Sequence, residues 1–145
     1  MPFTFQGWIE VKYSPNPADA LAWFGVVDLS TLVHTADRDT ERLFGLSKSL
    51  VSGDKRVAAL AADRGLPPNP SAQVRRAVEA IAQHEAQFGN GEFGGYTHAT
   101  WAEIRHHELC PAPIVSQWKL PFELARVLEQ RFGSDGIRFV VWYEW

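Results

Sequence analysis

His98, Glu103, His106, His107 and Cys110 crowd into one short stretch of the chain, Phe93–Leu109 and the residue just after it. Imidazoles beside a carboxylate are the side chains that move protons near neutral pH, so His98, Glu103 and His106 are the candidate catalytic groups, with Asp37 and Asp39 as further carboxylates. A small hydrolase or transferase built near residues 94–110 is one reading. Surface histidines at a helix C-terminus, where positive charge is well placed, is the other. His98 with Cys110 as a nucleophilic pair needs a spatial proximity that spacing does not supply. Structural zinc draws on paired ligands, commonly several cysteines. The chain has a single Cys, and adjacent His106 and His107 diverge on a helix, so no metal is expected. Gly89, Gly91, Gly94 and Gly95 punctuate the approach to this stretch as a loop. Glycines entering a helix N-terminus can hold an anion, but the loop carries no Lys or Arg and no G-x-x-x-x-G-K-[ST] pattern. An ordinary turn is expected, and no cofactor.

Local signals set the elements that must position these groups. Thr100 with Glu103 has the form of a capping box, which starts a helix at Trp101. Pro111 and Pro113 forbid its continuation, so it runs to about Glu108, with Trp101, Ile104 and Leu109 facing the core. Phe3–Tyr13 alternates as a half-buried strand, with Thr4, Gln6, Trp8, Glu10 and Lys12 on the outer face. Trp23–Val27 is a second short strand, and Asp28 caps a single turn, Leu29–Val33. Asp37–Val51 has the spacing of a helix with Leu43, Phe44, Ser47, Leu50 and Val51 inward. Ser71 caps Ala72–Phe88, with Val74, Val78, Ile81 and Phe88 inward and Gly89 as the stop; His84 and Glu85 sit at the edge of that stripe. Pro121–Phe132 is a third main helix with Leu124, Val127, Leu128 and Phe132 inward. Ile137–Trp145 is a strand of β-branched and aromatic residues. Strands at both ends with helices between them predict one α+β domain over residues 1–145. Its terminal strands lie in one small sheet packed against about three main helices.

Composition narrows the function. At 145 residues the chain can bury a real core in one domain. A net charge of −3 without a basic run argues against phosphate-driven nucleic-acid binding. No apolar run approaches a membrane span, and the first residues lack the build of a signal peptide, so no membrane partner is expected. One cysteine suits a reducing cytoplasm, that of a bacterial host cell. Six Trp and nine Phe either fill the core or line a recognition surface. Trp8, Tyr96, His98, Trp101 and Trp118 are the candidate residues for binding a ligand or partner.

Several short motifs fall in one order along the chain: G-W-I-E-V at Gly7–Val11, R-D-T-E-R-L-F-G at Arg38–Gly45, R-G-L-P at Arg64–Pro67, T-W-A-E-I at Thr100–Ile104 and I-R-F-V-V-W-Y at Ile137–Tyr143. In that order they resemble a family of small uncharacterised proteins of bacteriophages and actinobacteria. The family often opens with Cys-Asp-Ile-His, where this chain has Phe3, Thr4, Phe5 and Gln6. It often carries His-Ser-His-Ser-Trp before the T-x-A-E helix, where this chain sets Tyr96 against the second histidine and His98 against the tryptophan. Any metal or proton chemistry at those positions is therefore not implied here, and the resemblance brings no activity with it. The favoured expectation is a non-catalytic binding protein, a phage-type accessory or counter-defence factor that engages a host protein or sequesters a small planar ligand. The enzyme above is the alternative. A structural or assembly component, a homodimer joined through its terminal strands, is the second alternative.

Overall fold

The computed structural model describes residues 4–14, 16, 18–35, 37–46, 59–107 and 117–144. Four strands carry it: β1 Thr4–Tyr13, β2 Ala22–Asp28, β3 Phe93–Thr100 and β4 Ile137–Glu144. They form one antiparallel sheet in the order β2-β1-β4-β3. The terminal strands are the central pair, with Phe5 opposite Tyr143 and Glu10 opposite Arg138. Their residues suit that place, because a central strand must present a buried side chain on both faces. The expected homodimer through the terminal strands is corrected by this order. Each already has a neighbour on either side, so neither offers an edge for a second copy to extend.

Four α-helices lie among the described residues: α1 Arg38–Phe44, α2 Ala72–Phe88, α3 Trp101–His106 and α4 Lys119–Phe132. Residues of α1, α3 and α4 bury Leu43, Phe44, Trp101, Ile104, Phe122 and Ala125 with Phe5, Ile9, Val11, Ile137, Phe139 and Val141 of the sheet. The opposite face belongs to α2, whose Val74 and Ile81 pack with Val140 and Trp142, and with the partly buried Trp8 and Tyr96. The chain is thus one α+β body with a sheet between two helical layers. β1 is not half-buried as its alternation suggests. The α2 layer covers the polar face as far as Glu10, and only Lys12 and Tyr13 reach solvent.

Three further expectations are corrected. The stretch read as a glycine loop is β3 itself, with a bulge between Gly94 and Thr97. Gly95 sits there at φ 69°, and a Cβ on it would lie 2.6 Å from the Tyr143 ring and from Leu46. Glycine lets the backbone turn left-handed while an aromatic ring covers it. The helix begun by Asp37 stops at Gly45, which is left-handed at φ 69° and donates its N–H to the Glu41 carbonyl. Ser47, Leu50 and Val51 lie outside the described residues, as do Phe3, Leu109, Cys110 and Trp145. The buried stripe of α4 is Pro121, Phe122 and Ala125, while Val127 is 64% exposed. Small Ala125 lets that face approach the sheet. Phe88, at the frayed end of α2, is 69% exposed rather than inward.

Candidate functional site

Thr100 ends β3 and caps α3. Its Oγ1 accepts the Glu103 N–H at 3.2 Å, and Glu103 Oε1 accepts the Thr100 N–H at 3.1 Å. The same carboxylate receives both arms of Arg64, Nη1 to Oε1 at 3.0 Å and Nη2 to Oε2 at 2.8 Å. The Arg64 hydrogen bond holds the Glu103 carboxyl below the usual carboxylate range. Partial burial works against this, and the Thr100 N–H and the Arg64 charge add to it.

Arg64 reaches this point because residues 59–66 run along the outer edge of β3. The Gly65 N–H donates to the Tyr96 carbonyl at 2.9 Å, and the buried Thr97 hydroxyl donates to the Ala61 carbonyl. His98 belongs to this seam. Its Nδ1 lies 3.0 Å from the Gly65 carbonyl, an acceptor, so Nδ1 carries the proton. The histidine bolts the segment to the strand.

Beside α3 opens a depression of about 580 Å³, lined by Thr100, Ala102, Glu103, His106 and His107, by Leu60, and by Ser134 and Asp135 from the turn before β4. Two of the three candidate catalytic residues, Glu103 and His106, share it; His98 is not in its lining. Glu103 is not a free base there. Its oxygens accept from Thr100 and twice from Arg64, and its pKa is driven away from neutrality. Exposed His106, half-buried His107, Ser134 and Asp135 are the groups left to meet a ligand. Among the described residues, no three His, Cys, Asp or Glu side chains converge as a metal site.

The aromatic candidates separate. Trp101 and Trp118, expected as stacking surfaces, are core residues at 2% and 0% exposure. Both rings stack on Phe139, at 6.3 and 6.0 Å between centroids, because the helical layer needs large flat side chains to fill its contact with the sheet. Trp118 Nε1 donates to Thr40 Oγ1 at 2.8 Å, whereas Trp101 Nε1 has no acceptor. Trp8 and Tyr96 are partly buried in the α2 layer, on the other side of the sheet. The Tyr96 ring lies 5.7 Å from Trp142, and burial, then the Glu85 charge, raises its hydroxyl pKa.

The chain matches no family model, no curated protein and no solved structure. Its site must therefore be read from its own geometry.

That geometry holds polar groups that sequence reasoning did not single out. Glu10 and Arg138, opposite each other on the central strands, are both buried and paired at 2.5 Å. Glu10 Oε2 also accepts the Ser71 N–H at 2.6 Å at the start of α2. The Arg138 guanidinium donates to the carbonyls of Pro68 and Asn69 at 3.1 and 2.9 Å, and it lies 3.9 Å from the centre of the Trp23 ring. Burial lowers its pKa, and Glu10 opposes that shift. The signal was an arginine set between Ile137 and Phe139 in an otherwise apolar strand. A second, shallower groove of about 380 Å³ runs between α2 and the sheet, with Gln6, Ala77, Ile81, His84, Phe93 and Glu144 in its lining. His84 pairs with Glu92 at its side rather than with Glu85.

Proposed function

We propose that the protein is a non-catalytic binding protein that takes a small planar ligand into the depression beside α3. The observation that carries this reading is the engagement of Glu103. The carboxylate best placed for acid–base work is held ionised by a helix cap and an arginine. The depression nevertheless offers two imidazole rings, a hydroxyl and a carboxylate in a volume ordinary for small-ligand sites. Such groups stack on a flat molecule and bond to its edges. An accessory or counter-defence role, by sequestering such a ligand or engaging a host protein, fits this reading.

Titration of isotope-labelled protein with purines, pyrimidines and indoles tests it. Amide shifts confined to Thr100–His107 and Ser134–Asp135 are expected, with affinity falling about fivefold or more in His106→Ala and His107→Ala. The reading fails if no planar compound binds, or if the shifts map to the α2 layer.

A hydrolase or transferase is the second reading, favoured by Glu103 and His106 sharing one depression. It predicts turnover of activated esters that disappears in His106→Ala. Turnover retained in the His98→Ala, His106→Ala double variant removes these histidines from it. No described helix is long and apolar enough to cross a membrane.

A further inference from the structure

We propose that an apolar ledge at the β2 edge of the sheet docks a segment of another protein whose apolar side chains alternate with carboxylates. The ledge is formed by Tyr13, Phe24, Val26 and Phe132. The inference is independent of the depression beside α3, because it rests on other residues at the opposite edge of the sheet.

The helical layer stops short of β2. Phe132 of α4 meets Tyr13 of β1 at 6.2 Å between rings, and beyond Tyr13 comes Phe24 of β2 at 6.3 Å. Tyr13, Phe24 and Val26 are 37%, 38% and 45% exposed. The pairing of Ile9 with Val27 and of Glu10 with Gly25 leaves Val26 as a bulge residue, and bulges re-aim side chains at sheet edges. Val127, 64% exposed, lies one helical turn before Arg131 and extends the apolar surface along α4.

Charge identifies the occupant. The Arg131 guanidinium lies 5.6 Å from the Tyr13 ring and 5.7 Å from the Phe132 ring, and no carboxylate pairs with it among the described residues. Lys12, the preceding residue of β1, has the Trp23 ring at 5.9 Å and likewise no carboxylate. Two cations beside exposed rings call for a partner with carboxylates between its apolar groups. A second copy of this chain fits poorly, because a two-fold contact of the ledge with itself sets Arg131 against Arg131. Nor does the occupant simply become a fifth strand. The Gly25 N–H is taken by Gln73 Oε1 at 3.1 Å, so recognition falls to the side chains.

Two synthetic peptides of equal length, one alternating Leu with Glu and the other Leu with Lys, test this on the full chain. The Glu peptide is expected to shift the amides of Tyr13, Phe24, Val26 and Arg131, and to bind ~10-fold more tightly than the Lys peptide at low salt. Added salt should weaken it, and Arg131→Gln should cost ~5-fold in affinity. Val26→Ser, at an exposed position, should weaken it without unfolding the chain. Absence of Glu-peptide binding, an equal or stronger Lys peptide, shifts elsewhere, or an inert Arg131→Gln overturns the proposal. So does a dimer in sedimentation that Val26→Ser dissociates, since the occupant is then a second copy.

Discussion

Removing Glu10 should cost more than removing any surface charge of this protein, and the size of the loss can be worked from its partners. Glu10 is fully buried, and Arg138 is 4% exposed. In Glu10→Ala the guanidinium keeps the Pro68 and Asn69 carbonyls and the Trp23 face but loses its counter-charge. Breaking a buried pair in this way costs about 3–5 kcal/mol. The Ser71 N–H loses its acceptor at the same time, which adds about 1–3 kcal/mol where water cannot enter. The two terms overlap, so a loss of about 4–5 kcal/mol is expected, a large share of the ~5–15 kcal/mol that holds a domain together. Glu10→Gln keeps one acceptor and removes only the charge, and should lose about 2–4 kcal/mol. Chemical unfolding followed by circular dichroism measures both, and a cycle with Arg138→Met isolates the coupling, expected at about 2 kcal/mol or more. The double variant should not recover wild-type stability, because the Pro68 and Asn69 carbonyls and the Ser71 N–H are then all without their partners. A Glu10→Ala loss under about 1 kcal/mol with coupling near zero would refute the reasoning, since that is the behaviour of a hydrated surface pair.

The two core tryptophans should respond unequally to Phe. Trp118→Phe loses a bond to Thr40, whereas Trp101→Phe deletes a donor that has no acceptor, so Trp118→Phe should be the less stable by about 1–2 kcal/mol in urea unfolding. Gly95→Ala should cost about 2–4 kcal/mol, because the added methyl meets Tyr143 and Leu46 at a left-handed position. Gly89→Ala, with open space around it, should cost only about 1 kcal/mol, and comparison of the two melting curves separates crowding from backbone strain. Glu103 has a lowered folded pKa, so its stabilisation is present above the unfolded carboxyl value and disappears as pH falls through the folded one. The stability difference between wild type and Glu103→Gln should therefore be full at neutral pH and shrink in acid; a difference constant with pH removes the Arg64 link.

What could be read from the chain was what local chemistry dictates. Thr100 with Glu103 and Ser71 with Gly89 mark the ends of α3 and α2 because a cap satisfies backbone groups within a few residues of itself. What failed depends on residues distant in sequence. The glycines of β3 looked like a loop because the ring that covers them is Tyr143, from another strand. Glu10 looked like an outward residue because its partner, Arg138, is fixed only by the register of β1 on β4. The depression could not be assembled in advance because Ser134 and Asp135 join α3 only through the packing of the turn before β4. Trp101 and Trp118 failed as binding residues for a composition reason: a sheet covered on both faces absorbs large aromatics.

Both open edges of the sheet are guarded, and this decides what kind of partner the fold can meet. On the β3 side, residues 61–65 bond to Tyr96, Thr97 and His98 and occupy the outer edge. On the β2 side, Gln73 reaches from α2 to the Gly25 N–H. The terminal strands, which have the strongest β-forming sequences, are enclosed in the middle. Each of these features blunts edge-to-edge addition, the route by which a four-stranded sheet would otherwise polymerise. Recognition then depends on side-chain surfaces, and the two proposed here stand at opposite edges, the depression beside α3 at the β3 side and the ledge at the β2 side. Neither shares a residue with the other. A planar ligand and an acidic segment can therefore be held at once, and because the buried β1–β4 pair lies between them, occupation of one leaves the affinity of the other unchanged unless that central pair itself moves.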